Sequence, residues 1–261
     1  MTAPVALPAT VFGQDSGAVP LVMTHGLFGQ ARNFTTVARR LAAERRVVTL
    51  DLRNHGKAPH ADEMTYAAMA TDLAATLELA SRPPVLLGHS MGGKAAMMLA
   101  LTRPDLLAGL IVADIAPVTY DHPSHLGIIA AMRGLDLATV TRRSDADRAL
   151  TEAIPDPGVR GFIVSNLEIE GSAARWRPNL GALHAHLDDI LGFDAPAATR
   201  FEGPTLFLHG VRSDYVIDAY RPAIEALFPM ATFQTVPTGH WIHAEAPDAF
   251  VAAVEGWLAA L

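Results

Sequence analysis

The sequence predicts an α/β fold: a mostly parallel sheet flanked by helices, with a helical insertion late in the chain. Short apolar runs alternate with segments of helical periodicity, which is typical of parallel strands joined by covering helices. The alternation stops between residues 117 and 203 and then resumes. A length of 261 residues suits one large domain that carries such an insertion.

The part of the chain before the insertion supplies four predicted strands and three predicted helices. Apolar runs bounded by polar residues, glycine or proline indicate buried strands, and apolar residues at helical spacing indicate the helices between them. The strands are Leu21–Thr24, Val47–Leu50, Val85–Gly88 and Leu110–Ala113. The first helix carries Phe34, Val37, Ala38 and Leu41, the second carries Tyr66, Ala70, Leu73 and Leu77, and the third runs from Lys94 until Pro104 stops it.

Residues 117–203 are too many for a plain loop, so we expect a helical cap there and an α/β core made of residues 1–116 and 204–261. Three stretches of the cap have helical character, namely Leu126–Met132, Ala146–Ile154 and Leu180–Leu191. After the cap, the runs Thr205–Leu208 and Thr232–Val236 predict two more strands, and each is followed by a segment of helical periodicity.

Composition narrows the class of protein. The chain has 20 Lys and Arg against 27 Asp and Glu, so it lacks the basic character of a nucleic-acid-binding protein. The absence of cysteine excludes disulfides, thiolate metal sites and a cysteine nucleophile. No apolar run approaches the roughly 18 residues of a membrane span, and the first residues lack the features of a secretory signal. We therefore expect a soluble cytoplasmic protein.

One pentapeptide carries the strongest chemical signal. Gly88–Gly92 has the pattern Gly-x-Ser-x-Gly and lies between a predicted buried strand and a predicted helix. In this context the sharp turn exposes the serine at the helix N-terminus, where backbone N–H groups favour negative charge. Ser90 is therefore the candidate nucleophile. The alternative is a glycine-rich turn in which Ser90 only caps the helix.

The chain resembles proteins of the α/β-hydrolase fold over essentially its whole length. The resemblance is carried by His25–Gly29, Asp51–Gly56, Gly88–Gly93 and Gly239–Trp241. More narrowly, Gly88–Ala95, Asp114–Val118 and Arg175–Leu180 are similar to a branch of small bacterial carboxylesterases that is related to mitochondrial hydrolase-domain proteins. We interpret Asp51–Gly56 as a structural turn in which Asp51 and Arg53 form local hydrogen bonds.

A serine nucleophile needs a base, and the base needs an orienting acid. His240 follows the last predicted strand and is the candidate base, while His243 is better explained by packing or helix capping. Two aspartates that follow strands are candidate acids, Asp114 and Asp214. The hydrolase pattern places Ser213 where the acid is usual, and the similar esterase branch takes its acid from the earlier strand. We therefore favour Asp114, with Asp214 as the alternative and Ser213 as a supporting partner.

Acyl transfer also needs donors for the developing oxyanion. The backbone N–H of Met91, directly after the nucleophile, is one candidate, and the resemblance implies the N–H of Leu27 as the other. Phe28 beside it is expected in the pocket wall. Trp176, between two arginines, is a candidate substrate contact.

The predicted protein is a serine esterase that cleaves a small-molecule carboxylic ester or thioester through an acyl-enzyme on Ser90, with no metal ion and no cofactor. A C–C bond hydrolase or a perhydrolase would use the same residues, and a non-catalytic ligand-binding protein could share the fold. The sequence carries no signal for an oligomeric state.

Overall fold

The computed structural model describes residues 3–121, 123–171 and 173–261. Its main feature is a seven-stranded sheet with the order β1-β3-β2-β4-β5-β8-β9, in which β1 is antiparallel to β3 and every other pairing is parallel. The predicted α/β fold with a mostly parallel sheet is confirmed. The strands are β1 Ala9–Phe12, β2 Leu21–Thr24, β3 Val47–Leu50, β4 Val85–His89, β5 Gly109–Ala113, β8 Thr205–Gly210 and β9 Ala231–Val236.

Helices cover both faces of this sheet because side chains alternate along each buried strand. In β4, Leu86 joins the apolar cluster formed with the helices α2 and α3, while Val85 and Leu87 join a second cluster with α1 and α11. The described part of the chain has no helix that is long and apolar enough to cross a membrane. The helices outside residues 117–203 are α1 Thr35–Leu41, α2 Tyr66–Leu77, α3 Met91–Thr102, α9 Arg221–Leu227, α10 Ile242–Glu245 and α11 Pro247–Leu258.

Strand β1 is not predicted by the sequence pattern. Three of its four side chains are exposed, and it pairs with β3 at the edge of the sheet. A strand that buries so little has no apolar run to mark it, so its position depends on the backbone hydrogen bonds offered by β3.

The segment between β5 and β8 contains helices, as expected, and also a hairpin that was not predicted. The strands β6 and β7 pair antiparallel and form a separate two-stranded sheet. The predicted helix Leu180–Leu191 is divided at His186, and the helix predicted over Ala146–Ile154 ends at Ala149. The division into a core and a cap stays a prediction. The elements are α4 Pro123–Gly134, α5 Arg143–Ala149, α6 Pro157–Val164, β6 Leu167–Glu170, β7 Ala173–Trp176, α7 Leu180–Ala185 and α8 Leu187–Leu191.

The turn after β3 is held by hydrogen bonds to residues that are distant in the sequence, which we did not predict. Asp51 accepts hydrogen bonds from the backbone N–H of Lys57 at 2.9 Å and of Ala31 at 2.7 Å. Arg53 is fully buried and pairs with Asp72 of α2 through two hydrogen bonds of 2.6 and 2.8 Å. The expectation of purely local bonds is therefore wrong for Arg53, which ties the turn to a covering helix.

We expect Asp72→Asn to lower the free energy of unfolding by about 3 kcal/mol, because it leaves the Arg53 guanidinium buried without its counter-charge. Urea denaturation at neutral pH measures the change. Asp248→Asn is the matched control, since Asp248 pairs with Arg40 at the surface with 91% of its side chain exposed, and exposed pairs contribute little. Equal effects of the two substitutions would contradict the assignment.

Candidate active site

Ser90 lies at the junction of β4 and α3 in a strained backbone conformation, with φ 53° and ψ −122°. Glycine is required on both sides of this turn. A Cβ atom on Gly88 would lie 2.2 Å from the carbonyl oxygen of Gly92, and one on Gly92 would lie 2.5 Å from that of His25. Ser90 occupies the N-cap position of α3, but its side chain makes no capping hydrogen bond. The alternative in which Ser90 merely caps the helix is therefore not supported.

The Ser90 hydroxyl belongs to a hydrogen-bonded chain of three side chains. Ser90 Oγ lies 3.1 Å from His240 Nε2, and His240 Nδ1 lies 2.7 Å from Asp114 Oδ2. Since an ionised carboxylate only accepts hydrogen bonds, Nδ1 carries the ring proton. Nε2 is then free to accept from the serine hydroxyl. This geometry can move a proton from Ser90 to His240.

Asp114 is completely buried directly after β5, and three donors fix its carboxylate. Besides His240, the backbone N–H of Gly210 donates to Oδ1 at 2.8 Å, and the hydroxyl of Ser213 donates to Oδ2 at 2.5 Å. Asp214 is exposed on the loop after β8. Of the two candidate acids, the structure brings Asp114 to His240.

The rings of Tyr215 and His89 contact the ring of His240, and His243 packs against His89. The ring of Tyr215 stacks on that of His240 with centroids 4.0 Å apart and an interplanar angle of 22°. His89 donates from Nε2 to the carbonyl oxygen of His240 at 2.9 Å. His243 is buried against Phe34 and His89, and burial lowers its pKa to about 4. His243 therefore packs as a neutral ring.

Two buried histidines hold the loop after β2, where Phe28 adopts a positive φ of 59°. His55 Nε2 accepts a hydrogen bond from the backbone N–H of Phe28 at 3.1 Å. His25 Nε2 accepts a hydrogen bond from the backbone N–H of Leu52 at 3.0 Å. Burial lowers the pKa of His55 to about 3 and that of His25 to about 4, so both rings are neutral acceptors at neutral pH. Since the N–H of Phe28 is occupied, the N–H of Leu27 is the better candidate donor from this loop.

Met91 is the first residue of α3, directly after Ser90. The first N–H groups of a helix have no acceptor within the helix, so they are available to an anion. Met91 and Leu27 both line a small cavity that also reaches Ser90. The two predicted oxyanion donors therefore belong to residues that share a cavity with the serine.

A cavity of about 430 Å³ opens beside Ser90 and His240. Its walls are largely apolar, and Phe162 of α6 packs against Trp241 with ring centroids 5.5 Å apart. The other apolar walls include Phe28, Ile128 and Val159. Phe28 thus lies where the sequence placed it, while the Phe162–Trp241 pair and the stacked Tyr215 were missed. Trp241 directly follows His240, and Tyr215 lies two positions after Ser213, so both are close in sequence to predicted site residues. The sequence does not indicate, however, where their rings point.

The structure does not bring Trp176, the candidate substrate contact, to the cavity beside Ser90. Trp176 is 9% exposed, its indole N–H donates to the carbonyl oxygen of Met132 at 2.8 Å, and it does not line the cavity. The two neighbouring arginines, Arg175 and Arg177, both pair with Glu168 of β6. This triplet joins the hairpin to α4.

The site joins a strained serine, an imidazole and a buried carboxylate at the carboxyl edge of a parallel sheet. This arrangement is typical of the α/β hydrolases. Comparison with known proteins gives the family. The model of the alpha/beta hydrolase family matches residues 21–253, and the chain belongs to this family.

Similar proteins include esterases and a lipase. The chain is 42% identical over 265 residues to the sn-1-specific diacylglycerol lipase ABHD11 of Mus musculus, with 98% of this chain and 86% of the relative covered. It is 35% identical to Esterase YbfF of Escherichia coli, with 92% of each covered. A solved structure described as a marine microorganism esterase superposes with a TM-score of 0.93 at 33% identity, covering 97% of this chain and 99% of that one. The resemblance inferred from the sequence motifs is confirmed.

Proposed function

We propose that this chain is a carboxylic-ester hydrolase that works through an acyl-enzyme on Ser90. The observation that carries the proposal is the Ser90–His240–Asp114 chain, with distances of 3.1 and 2.7 Å. A serine hydroxyl is a weak nucleophile at neutral pH, and an adjacent imidazole makes it effective by removing its proton. The names of the relatives, esterase and diacylglycerol lipase, support an ester as the substrate.

The first half of the proposed reaction acylates the serine. His240 Nε2 takes the proton of Ser90 Oγ as the oxygen attacks the ester carbonyl carbon. The N–H groups of Leu27 and Met91 stabilise the resulting oxyanion. His240 then gives its proton to the leaving alcohol oxygen, and the C–O bond breaks.

The second half releases the acid. His240 removes a proton from a water molecule that attacks the acyl-enzyme, and it returns this proton to Ser90 Oγ as the carboxylic acid leaves. Asp114 stabilises the positive charge that His240 carries in both halves. Ser213 and the N–H of Gly210 hold the carboxylate in place.

A fluorophosphonate probe tests the proposal, since it phosphonylates only an activated serine. We expect one adduct on the intact protein, located by mass spectrometry on the peptide that contains Ser90, and parallel loss of hydrolysis of p-nitrophenyl and thiol esters. Protein unfolded in urea before labelling is the control. An adduct elsewhere, or none on an enzyme that hydrolyses esters, would refute the role of Ser90. Relative rates on oxygen and thiol esters with the same acyl group decide which of the two is the better substrate.

A further inference from the structure

The loop after β2 holds Phe28 in a backbone conformation that phenylalanine rarely adopts. Its φ is 59°, and the N–H of Gly29 closes a four-residue turn by donating to the carbonyl oxygen of Gly26 at 2.9 Å. A positive φ at the third residue of a turn is usual for glycine or asparagine and unfavourable for other residues. Such a conformation persists only where the surroundings enforce it. The contacts of Phe28 must therefore supply that constraint.

Two buried side chains from distant parts of the chain bind the backbone of Phe28. His55 Nε2 accepts a hydrogen bond from the Phe28 N–H at 3.1 Å. The other ring nitrogen, Nδ1, lies 3.0 Å from the carbonyl oxygen of Arg53 and carries the ring proton, because a carbonyl oxygen only accepts. Asn166 Nδ2 donates to the Phe28 carbonyl oxygen at 2.7 Å. Both polar groups of the Phe28 backbone are thus held by side chains.

Asn166 is itself fixed in one orientation. It is completely buried, and its amide nitrogen must face Phe28, since the Phe28 carbonyl oxygen only accepts. Its amide oxygen then accepts from Gln30 Nε2 at 3.1 Å. The backbone N–H of Asn166 donates to the carbonyl oxygen of Ile163 at 3.0 Å, and its carbonyl oxygen accepts from the N–H of Arg177 at 3.1 Å. Asn166 therefore supplies a donor and an acceptor together, which an aliphatic side chain of similar size cannot do.

The position of Asn166 in the chain links this contact to the substrate cavity. Asn166 lies two residues after the end of α6, in the segment between β5 and β8. The same helix forms part of the wall of the cavity beside Ser90, through Val159, Phe162 and Ile163. One short stretch of chain therefore lines the cavity and holds the loop after β2.

The conformation of Phe28 affects the proposed oxyanion donor next to it. Relaxation of Phe28 to a negative φ would reverse the peptide between Leu27 and Phe28 and break the hydrogen bond to His55. Leu27 belongs to that peptide, and its N–H is the proposed donor. Loss of one oxyanion donor costs about 10²- to 10³-fold in kcat. The constraint on Phe28 therefore bears on the rate of the proposed reaction.

We propose that Asn166 is a positioning residue for the oxyanion hole, acting from the segment between β5 and β8. Together with His55 it holds Phe28 at a positive φ. This conformation keeps the N–H of Leu27 directed at the oxyanion that forms beside Ser90. The inference rests on the proposed function and adds to it a residue that touches neither the substrate nor the reacting atoms and that controls stabilisation of the transition state.

Asn166→Leu tests the proposal on the intact enzyme, because it removes the donor to Phe28 and keeps a side chain of similar size. Acylation and deacylation both pass through an oxyanion, so a misdirected donor lowers kcat and leaves KM nearly unchanged. The assay is hydrolysis of p-nitrophenyl acetate, with active serines counted by end-point fluorophosphonate labelling. We expect kcat per labelled serine to fall about 10²-fold, with KM within about threefold.

Asn179→Leu is the matched control. Asn179 lies in the same segment, and its Nδ2 donates to Asn54 Oδ1 at 3.1 Å and to the carbonyl oxygen of Ala61 at 3.3 Å. The same substitution there also removes hydrogen bonds to the turn after β3, but it leaves both bonds to the Phe28 backbone in place. We expect kcat per labelled serine to stay within about threefold. Thermal unfolding measures the loss of stability that the two variants share.

Two inhibitors separate the oxyanion hole from substrate binding. With an alkyl trifluoromethyl ketone, Ser90 Oγ adds to the carbonyl carbon while His240 Nε2 takes the serine proton, and the carbonyl oxygen becomes an oxyanion. The corresponding alkyl methyl ketone serves as the analogue of the bound substrate. We expect Asn166→Leu to raise the Ki of the trifluoromethyl ketone about 10²-fold, in parallel with the loss of kcat/KM, and that of the methyl ketone less than about threefold.

Three results would overturn the proposal. The first is an unchanged kcat per labelled serine in Asn166→Leu, and the second is an equal loss in Asn179→Leu. The third is a raised KM with kcat unchanged, which would make Asn166 a substrate contact. If the leucine variant does not fold, Asn166→Ala removes the same donor with a smaller side chain, and its kcat decides the matter. Failure of the proposed function is distinct, because the unaltered enzyme would then hydrolyse no ester and form no serine adduct.

Discussion

Asp114→Asn should lower kcat by about 10⁴-fold, whereas Asp214→Asn should leave kcat within about twofold. Asp114 is buried and accepts the Nδ1 proton of His240 at 2.7 Å. An amide at this position has no charge to stabilise the imidazolium, and its NH₂ group competes for contact with the ring, which favours the wrong tautomer. Asp214 is exposed on the neighbouring loop.

Steady-state hydrolysis of p-nitrophenyl acetate measures both variants, and burst kinetics show whether acylation is the step that slows. The two substitutions are chemically identical, so the pair controls for the change itself. Thermal unfolding of Asp114→Asn separates a catalytic loss from a structural one, because the N–H of Gly210 and the hydroxyl of Ser213 also depend on this carboxylate. Loss of activity in Asp214→Asn alone would assign the acid to the later loop.

The parallel sheet and its central turn were predictable because they depend on local rules. Strands buried on both faces of a parallel sheet are near-continuous apolar runs, as at the start of Val85–His89, and the turn at Ser90 excludes side chains at Gly88 and Gly92. The choice between Asp114 and Asp214 came instead from the family resemblance, because the hydrolase pattern places Ser213 at the usual position of the acid and the similar esterase branch takes its acid from the earlier strand.

Features that depend on long-range packing were not predictable in this way. Strand β1 is mostly exposed and is positioned by its partner, so its own sequence has no pattern. Trp176 and Trp241 cannot be distinguished by their sequence context, because each is an aromatic residue beside a charged or titratable neighbour. Only the tertiary structure shows that Trp176 packs against α4 while Trp241 lines the cavity.

Buried neutral histidines make the protein sensitive to acid. Burial lowers the pKa of His25 and His243 to about 4 and that of His55 to about 3. In the unfolded chain a histidine has a pKa of about 6.5. Between these values the unfolded chain binds protons that the folded protein cannot, so the free energy of unfolding must fall as the pH drops from about 6.5 toward 4.

The expected loss is large. A shift of one pKa unit corresponds to about 1.4 kcal/mol, so a histidine moved from 6.5 to about 4 contributes roughly 3 kcal/mol. The pKa values of the three histidines shift over the same pH window, and their summed effect is comparable with the 5 to 15 kcal/mol stability of a typical domain. We therefore expect the midpoint temperature of thermal unfolding to fall as the pH is lowered from about 6.5. By about pH 4 the protein should unfold cooperatively.

His243→Phe should weaken this pH dependence. The Nδ1 atom of His243 has no hydrogen-bond partner among the described residues, and its ring packs between Phe34, His89 and Phe250. A phenyl ring fits those contacts and binds no proton, so the thermal midpoint should change little at pH 7.5 and rise relative to the unaltered protein at acid pH. His184→Phe makes the same change at an exposed position and should leave the slope unchanged. A midpoint that stays constant from neutral pH to below pH 5, or equal slopes in the two variants, would show that protonation of these buried rings does not limit stability.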